Sequence, residues 1–398
     1  MAELLTLEEA QRLVLERAEP LPAERVPLEQ AAGRVLAEAA PAVVDLPPFP
    51  SSAMDGFAVR VADTPGTLPV VFRVAAGRPS PAPLQPGEAM GIATGGVVPE
   101  GADAVIPLEY VVDSENTVEI GEAATAGANV RPRAGDLRAG DEVVAAGTRL
   151  RAVQLGALAA AGVAEVVCGA VPRAAVLATG TELRRPGEPL GPGEVYEANG
   201  LILETQLRSA GASVERLAAV ADDEDAHREA LARGLEHDLL VTSGGVSVGP
   251  HDLVRGIEAE LGVEEVFWRV AVKPGKPVSF GVRERTLVFG LPGNPVSSLV
   301  GFELFVRPAV LALQGHADPR PRFEPGRLAA AARRNPARDE LVRARTRDGE
   351  DGAVELEPLK GQESHMIARA AGADVLVFVP RGEGELVTGS PVRYLRLA

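Results

Sequence analysis

Two of the chain's three lysines stand three residues apart in one turn, VKPGKP (272–277), and the third is Lys360. Every other basic side chain is an arginine. Pro274, Gly275 and Pro277 stiffen the turn, so Lys273 and Lys276 present two compact ammonium groups on a rigid frame. That device suits a small oxyanion or a phosphate. A lysine is more often a solvated surface charge. Its concentration at a single turn of an arginine-using chain favours binding.

Three glycine-rich segments each follow a run of β-type residues: ATGTEL (178–183), TSGGVSVGPHD (242–252) and GLPGNPVSS (290–298). Thr179, Gly180 and Thr181 lie in the first. Thr242, Ser243, Gly244, Gly245 and Ser247 lie in the second, and Gly293, Asn294 and Ser297 in the third. Glycines let backbone N–H groups approach an anion, the hydroxyls add donors, and a helix N-terminus favours negative charge. One such turn is ordinarily a connector. If the strands run parallel, all three meet at the carboxyl edge of one sheet, where α/β proteins bind ligands. None is a Walker A or GxGxxG sequence, so a P-loop NTPase or a nicotinamide dehydrogenase is not supported.

Carboxylates adjoin the same segments: Glu182, Asp222 or Asp223 in ADDED, and Asp252. Anions beside carboxylates call for a mediating cation, and carboxylate, water and phosphate oxygens are Mg²⁺ surroundings. Taken singly, each acid serves equally as a cap or a surface charge; Asp252 is placed to cap the helix that follows it. Cys168 is the only cysteine and five histidines, His251 and His365 among them, are scattered, so no zinc pattern is present.

The elements that position these groups follow from periodicity. Between Arg173 and about Gln314, strand runs (RAAVLAT, ASVERLAAV, DLLVTSG, VEEVFWRVAV, TLVFGL) alternate with helical spacing over Asn199–Ala210, Glu224–Gly234, Asp252–Leu261 and Val296–Gln314. That predicts an open α/β sheet with crossover helices. The chain opens on a helix with a capping box, Thr6 and Glu9, and further helices fit Leu28–Glu38 and Ala152–Ala161. Short β runs with Gly, Pro and Asp turns fill Phe57–Leu150, and short strands return after Arg320 as a small barrel or sandwich. The expected division is 1–45 with 137–172 as an N-terminal linking module, 46–136 as a β-rich module, 173–318 as the α/β domain and 319–398 as a C-terminal β-barrel.

The 398 residues carry 40 Lys and Arg against 56 Asp and Glu, a formal charge of −16. This balance argues against a nucleic-acid or anionic-membrane binder. No apolar run reaches about 20 residues, no signal peptide opens the chain, and a lone cysteine predicts a reducing, cytoplasmic setting.

The β-rich half holds three further turn motifs: PPFPSSAMDGFAV (47–59) around Asp55, TGGVVPEGADAVIP (94–107) with Thr94, and NVRPRAGD (129–136) with Asp136. By composition alone these are inter-strand turns. Taken in order, SSAMDGFA, TGGVVPEGADAVIP, RPRAGD, ATGTEL, TSGGVSVGPHD, VKPGKP and GLPGNPVSS resemble the molybdopterin molybdenumtransferases, the MoeA family to which the gephyrin E domain is similar. The likeness runs from about residue 5 to the C-terminus.

The resemblance implies a multidomain α/β fold: a β-rich module, a helical linking module, a molybdopterin-binding open α/β sheet and a C-terminal β-barrel, forming a homodimer. It implies Mg²⁺-dependent insertion of molybdate into adenylylated molybdopterin with release of AMP. Matched by position, Glu182, Asp222 and Asp252 take the substrate and Mg²⁺ site, Lys273 and Lys276 the oxyanion, and Ser297 a hydroxyl near it. Asp55, Thr94 and Asp136 are placed against the partner subunit's α/β domain. Ser364, with Arg343 or Arg345, resembles the C-terminal contributors to oxyanion binding. A molybdopterin adenylyltransferase is an implied partner. The same activity is also the alternative function, since the α/β domain resembles that enzyme, and a non-catalytic gephyrin-like scaffold is the other.

Overall fold

Six strands between residues 173 and 291 form one sheet, in the order Ser213–Arg216, Arg173–Ala178, Leu239–Ser243, Thr286–Leu291, Ser279–Arg283, Glu264–Trp268. The computed structural model describes residues 4–220, 223–245 and 253–397. The first four strands are parallel, and Ser279–Arg283 runs antiparallel to both its neighbours, Thr286–Leu291 and Glu264–Trp268. Alternation divides their side chains between two cores. Ala174, Val176, Val241 and Phe289 face the helix Asn199–Ala210 and the helical run 295–313. Ala175, Leu177, Leu240 and Val288 face the helices Glu224–Gly234 and Leu253–Glu260. Burial on both faces explains why these strands read as continuous apolar runs. Each buried leucine or valine contributes about 1.5–3 kcal/mol over leaving it exposed.

The helix Asn199–Ala210 stops at Gly211, which adopts the left-handed φ of 100° that a helix end of this kind requires. The helix Glu224–Gly234 is capped by Asp223, whose side chain accepts the Ala226 N–H at 2.8 Å. Asp223 is thereby a cap. Asp222, Ser247 and Asp252 lie outside the described residues. The run 295–313 is long and apolar enough to cross a membrane by composition, yet 83% of it is buried inside the protein. It is a core helix, apolar on all sides because it is enclosed. Midway it widens into a π-helical turn, Phe302–Val306. There the buried Glu303 is bonded by Arg307 at 2.6 and 2.9 Å and by Gln206 Nε2 at 2.7 Å, which ties this helix to Asn199–Ala210.

The opening helix, Leu7–Leu15, carries the expected capping box and packs Leu7, Ala10 and Val14 into the α/β core. The expected helix over Leu28–Glu38 is instead a single 3-10 turn, Leu28–Gln30. Gly33 reverses the chain at φ 78°, and Val35 and Leu36 then bridge to Arg149 and Cys168. A strand pair, Ala23–Pro27 with Glu165–Gly169, joins them over a core of Val26, Leu36, Leu150, Leu158 and Cys168. Beyond it lies a half-barrel sheet in the order Ala104–Pro107, Gly56–Val59, Ala89–Ile92, Gly66–Val74, Thr117–Ile120, Val111–Ser114.

After residue 324 the chain closes a five-stranded barrel. Glu324–Leu328 pairs with Val354–Pro358, then Asp339–Asp348, Val375–Val379 and Pro391–Arg396, which returns to the first strand. Val375, Val377 and Val379 fill its interior, while Leu376 and Phe378 face outward into the α/β core. Arg343 shares the outward face with Leu341 and is only 2% exposed. Its guanidinium donates to Gly361 O at 2.8 Å, Met366 O at 2.9 Å, Glu363 O at 3.2 Å and Gln362 Oε1 at 3.4 Å. Burial pulls its pKa down from the ordinary guanidinium value.

In this structure Arg343 is bound into the 361–366 loop and not presented to solvent. Its donors are committed to folding the 361–366 loop, and the exposed Arg345 donates to Gly372 O at 2.8 Å. Arg343→Met leaves those carbonyls without their donor, at about 1–3 kcal/mol for a buried unpaired group. Arg343→Met should lower the thermal midpoint by several degrees and speed amide exchange at 361–366. Arg345→Met should change stability by no more than about 0.5 kcal/mol. Equal effects of the two, by calorimetry, would overturn this assignment.

Candidate active site

The three parallel strands that precede the glycine-rich loops end flush. Ala178 lies opposite Ser243, and Ser243 opposite Leu291. From Arg173–Ala178 the chain passes to Ser213–Arg216 on one side, then returns to Leu239–Ser243 on the other. The crevice beyond those strand ends is the switch point at which open α/β sheets bind ligands.

The loops are stitched together there. The Thr179 N–H donates to Ser243 O at 3.0 Å, and the Gly244 N–H to Leu291 O at 3.0 Å. Thr179 and Ser243 are buried, while Gly293 and Asn294 are exposed. Gly244 adopts φ 98°, and a Cβ there would stand 2.7 Å from Thr179 O. Gly245, at φ 65°, would place one 2.3 Å from Val254 Cγ2. Both positions therefore demand glycine. Gly293 would meet only Gly244 Cα at 3.8 Å, so its glycine serves access and not packing. At Gly180 a Cβ would lie 2.6 Å from the Glu182 carboxylate. The missing side chain is what lets that exposed acid fold back over the strand end.

The lysine turn belongs to the same edge. A Cβ on Gly275 would be 3.6 Å from Ser297 O, so the turn rests on the first turn of the helix Pro295–Gly301. Ser364 reaches that turn from the barrel: its carbonyl accepts the Val296 N–H at 3.1 Å. Ser297 is 4% exposed. Arg343, by holding the 361–366 loop, thus positions Ser364 without touching the crevice. The two lysines differ. Lys273 donates to Glu340 Oε1 at 2.8 Å, across from the barrel strand with which Val272–Lys273 pairs. The Lys276 side chain is exposed and, among the described residues, its ammonium makes no hydrogen bond or ion pair.

Asp55 and Thr94 meet elsewhere, and Asp136 lies apart from them on the same β-rich module. The Thr94 N–H donates to Asp55 Oδ1 at 2.7 Å, the Gly95 N–H to Ser52 O at 2.9 Å, and the Ala53 N–H to Asn129 O at 2.8 Å. The Asp136 N–H donates to Leu46 O at 2.9 Å and leaves its carboxylate exposed. Nearby, Asp45 accepts from the Ala139 N–H at 2.9 Å and from Arg133 at 2.5 Å. Those bonds hold its carboxyl below the usual carboxylate range. Among the described residues, no hydrogen bond, ion pair or β-bridge joins 46–136 to 173–397 of the same chain.

Two residues of the crevice escaped the sequence reading. Glu340 holds Lys273 from 67 positions away, beyond any spacing argument. Asn199, at the start of the helix Asn199–Ala210, donates to Ser243 Oγ at 2.8 Å and to Gly293 O at 2.7 Å. Its only signal in the sequence was a polar residue opening a helix, which ordinarily means a cap. Among the described residues no group of three or more His, Cys, Asp or Glu is gathered for a metal. Of the three acids expected to form one, only Glu182 is described.

Three family models match in order: "MoeA N-terminal region (domain I and II)" over residues 5–162, "Probable molybdopterin binding domain" over 175–312, and "MoeA C-terminal region (domain IV)" over 325–397. A molybdopterin molybdenumtransferase of Haemophilus influenzae is 34% identical over 398 residues, 98% of each chain. Molybdopterin molybdenumtransferase 2 of Mycobacterium tuberculosis is 36% identical over 406 residues, again 98% of each. The crystal structure of a molybdopterin biosynthesis MoeA protein from Pyrococcus horikoshii superposes with a TM-score of 0.80 at 31% identity, covering 99% of both chains. A second from the same organism gives 0.84 at 26% identity, covering 99% of this chain and 100% of that one. With the fold, the order of its parts and near-complete kinship in agreement, this chain belongs to the molybdopterin molybdenumtransferases, an enzyme family of molybdenum cofactor biosynthesis.

Proposed function

We propose that this chain inserts molybdate into adenylylated molybdopterin, releasing AMP, with Mg²⁺ as its metal. The observation that carries the reading is the seating of the Lys273–Lys276 turn on Ser297, beside the switch-point loops. A tetrahedral dianion fits one free ammonium and a helix start. The phosphates and nucleotide of the pterin ester fit the strand-end loops around Thr179, Gly180, Ser243, Gly244 and Gly245, whose glycines admit close backbone approach. The metal oxide and the pterin sulfurs then meet within one crevice, which makes their encounter intramolecular. Each pterin thiolate forms a bond to the metal as a metal–oxygen bond breaks, the oxide taking up protons from solvent and leaving as water, so the chain need not supply a nucleophile, and the buried Cys168 takes no part.

The donor chemistry suits Mg²⁺. Glu182 offers an exposed carboxylate over the strand end, and would hold the ion together with Asp222 and Asp252. Bound there, Mg²⁺ would offset phosphate charge as the anhydride breaks. The same reading makes the protein a cytoplasmic homodimer that receives its substrate from the molybdopterin adenylyltransferase. The bonded pair Asp55 and Thr94, with Asp136 on the same module, supports the dimer: lacking bonds to their own α/β edge, these residues form a cluster of functional positions available to complete the crevice of a second copy. Adenylyltransferase activity would need neither that cluster nor the barrel, and a scaffold would need no free lysine.

Purified protein mixed with adenylylated molybdopterin, Mg²⁺ and molybdate should release AMP and bind metal only when molybdate is present. ATP consumption in its place would support adenylylation. Because Glu340 already balances Lys273, the two lysines should be unequal. Lys276→Ala should raise the KM for molybdate about tenfold or more, the loss of a charge-assisted bond worth about 1.5–3 kcal/mol. Lys273→Ala should raise it only about two- to threefold, with pterin affinity little changed in both. Equal effects would sink the asymmetry. If the two groups act across subunits, Asp55→Ala and Lys276→Ala chains, assayed at molybdate far below KM where each alone keeps about a tenth of normal activity or less, should rise to about a quarter of normal activity when co-expressed. Half the dimers would then be mixed, with one intact crevice of two. No recovery in isolated mixed dimers would show that both groups act within one chain.

A further inference from the structure

We propose that Asn199 is a positioning residue that sets the spacing between the two halves of the crevice. An asparagine opening a helix ordinarily turns its side chain onto that helix's own N–H groups. Here Ala198 occupies the cap position, and the Asn199 side chain reaches away from its helix instead. Its single Nδ2 donates to Ser243 Oγ at 2.8 Å and to Gly293 O at 2.7 Å. Both amide hydrogens are thus committed, one to each of two loops that lie 44 and 94 positions along the chain. Among the described residues, the other links between those loops are the Gly244 N–H to Leu291 O at 3.0 Å and a long contact of Ser243 Oγ to Pro292 O at 3.4 Å.

The brace is held from behind. Seven residues along the same helix, Gln206 donates to Glu303 at 2.7 Å and to Leu299 O at 3.3 Å. Its partner helix is the one that begins at the third loop. The two helices are therefore locked at their middles by Gln206 and at their site-facing ends by Asn199. The consequence rests on the reaction proposed above. The Ser243 loop belongs to the half that takes phosphate and nucleotide, and the Gly293 loop to the half that takes the oxyanion. Their separation fixes how far the metal oxide stands from the pterin sulfurs, and a small error in that distance costs rate far more than binding.

The test uses full-length Asn199→Ala and Asn199→Asp, the latter setting a carboxylate against Gly293 O. Two lost hydrogen bonds are worth about 1–3 kcal/mol. In the ligand-free protein, amide exchange at 243–245 and 293–294 should therefore quicken about five- to a hundredfold, with other strands unaffected. In the assay of molybdate-dependent AMP release, kcat should fall about ten- to a hundredfold. KM for molybdate and affinity for adenylylated molybdopterin should stay within about threefold. Ser243→Ala should add little on the Asn199→Ala background, because one arm of the brace is already gone. A uniform loss of thermal stability with unchanged kcat per folded molecule would reduce Asn199 to a structural residue and overturn the proposal. So would unaltered exchange at both loops. If the unsubstituted protein releases no AMP with molybdate, the proposed reaction fails, while the exchange experiment still decides whether Asn199 braces the loops.

Discussion

Three parallel strands that stop at the same level are the constraint on which the rest of this molecule depends. Because Ala178, Ser243 and Leu291 stand in register, the residues after them emerge at one edge together. Parallel pairing sets that register through evenly spaced hydrogen bonds, and double-sided burial prevents a slip, since a one-residue shift would exchange the two cores. The glycines at 244 and 245 are then forced by crowding between loops already placed. The chemistry of the edge is a product of the sheet's arithmetic, and the side chains specialise it.

Charge is handled locally against an unfavourable background. A chain of net −16 repels anions at long range, so the anion binding proposed above would rest on short-range, desolvated or backbone donors. The structure supplies a lysine turn seated on a helix start, with one ammonium tied to Glu340 and the other free. A fully unpaired pair would repel itself across the stiff turn. Neutralising one member leaves a single directed cation and keeps the turn in place. The arginines, by contrast, act mostly as structural donors, and Arg343 is the extreme case.

Much of this was legible beforehand. The strand–helix alternation gave the α/β region because double-sided burial writes continuous apolar runs. The helices Asn199–Ala210 and Glu224–Gly234 end where Gly211 and Gly234 interrupt the pattern. What failed was local sequence asked to report tertiary pairing. Leu28–Glu38 has helical spacing, but Gly33 and the bridges of Val35 and Leu36 to distant residues overrode it. Ser279–Arg283 went unread because its strand is completed by an antiparallel neighbour that spacing cannot announce. The loop-holding bonds of Arg343 were illegible for a related reason. Its type suits an oxyanion, but whether a guanidinium meets solvent or carbonyls depends on which face of the barrel strand is covered. Asn199 and Glu340 were missed because each acts on residues far along the chain.

The barrel's role follows from the same geometry. Its outward side chains Leu341, Leu376, Phe378 and Leu395 join the α/β core, so it cannot shift without opening that core. Through Arg343 it folds the 361–366 loop, and through Ser364 that loop occupies the Val296 N–H at the start of the helix Pro295–Gly301. Through Glu340 it also fixes Lys273. Two independent contacts from one rigid barrel therefore bear on the two sides of the lysine turn. A standalone α/β sheet could offer the strand-end loops, but it would have no means of holding a cationic turn over them. The need to hold that turn explains why the α/β layer and the barrel share a single hydrophobic core instead of being joined by a linker.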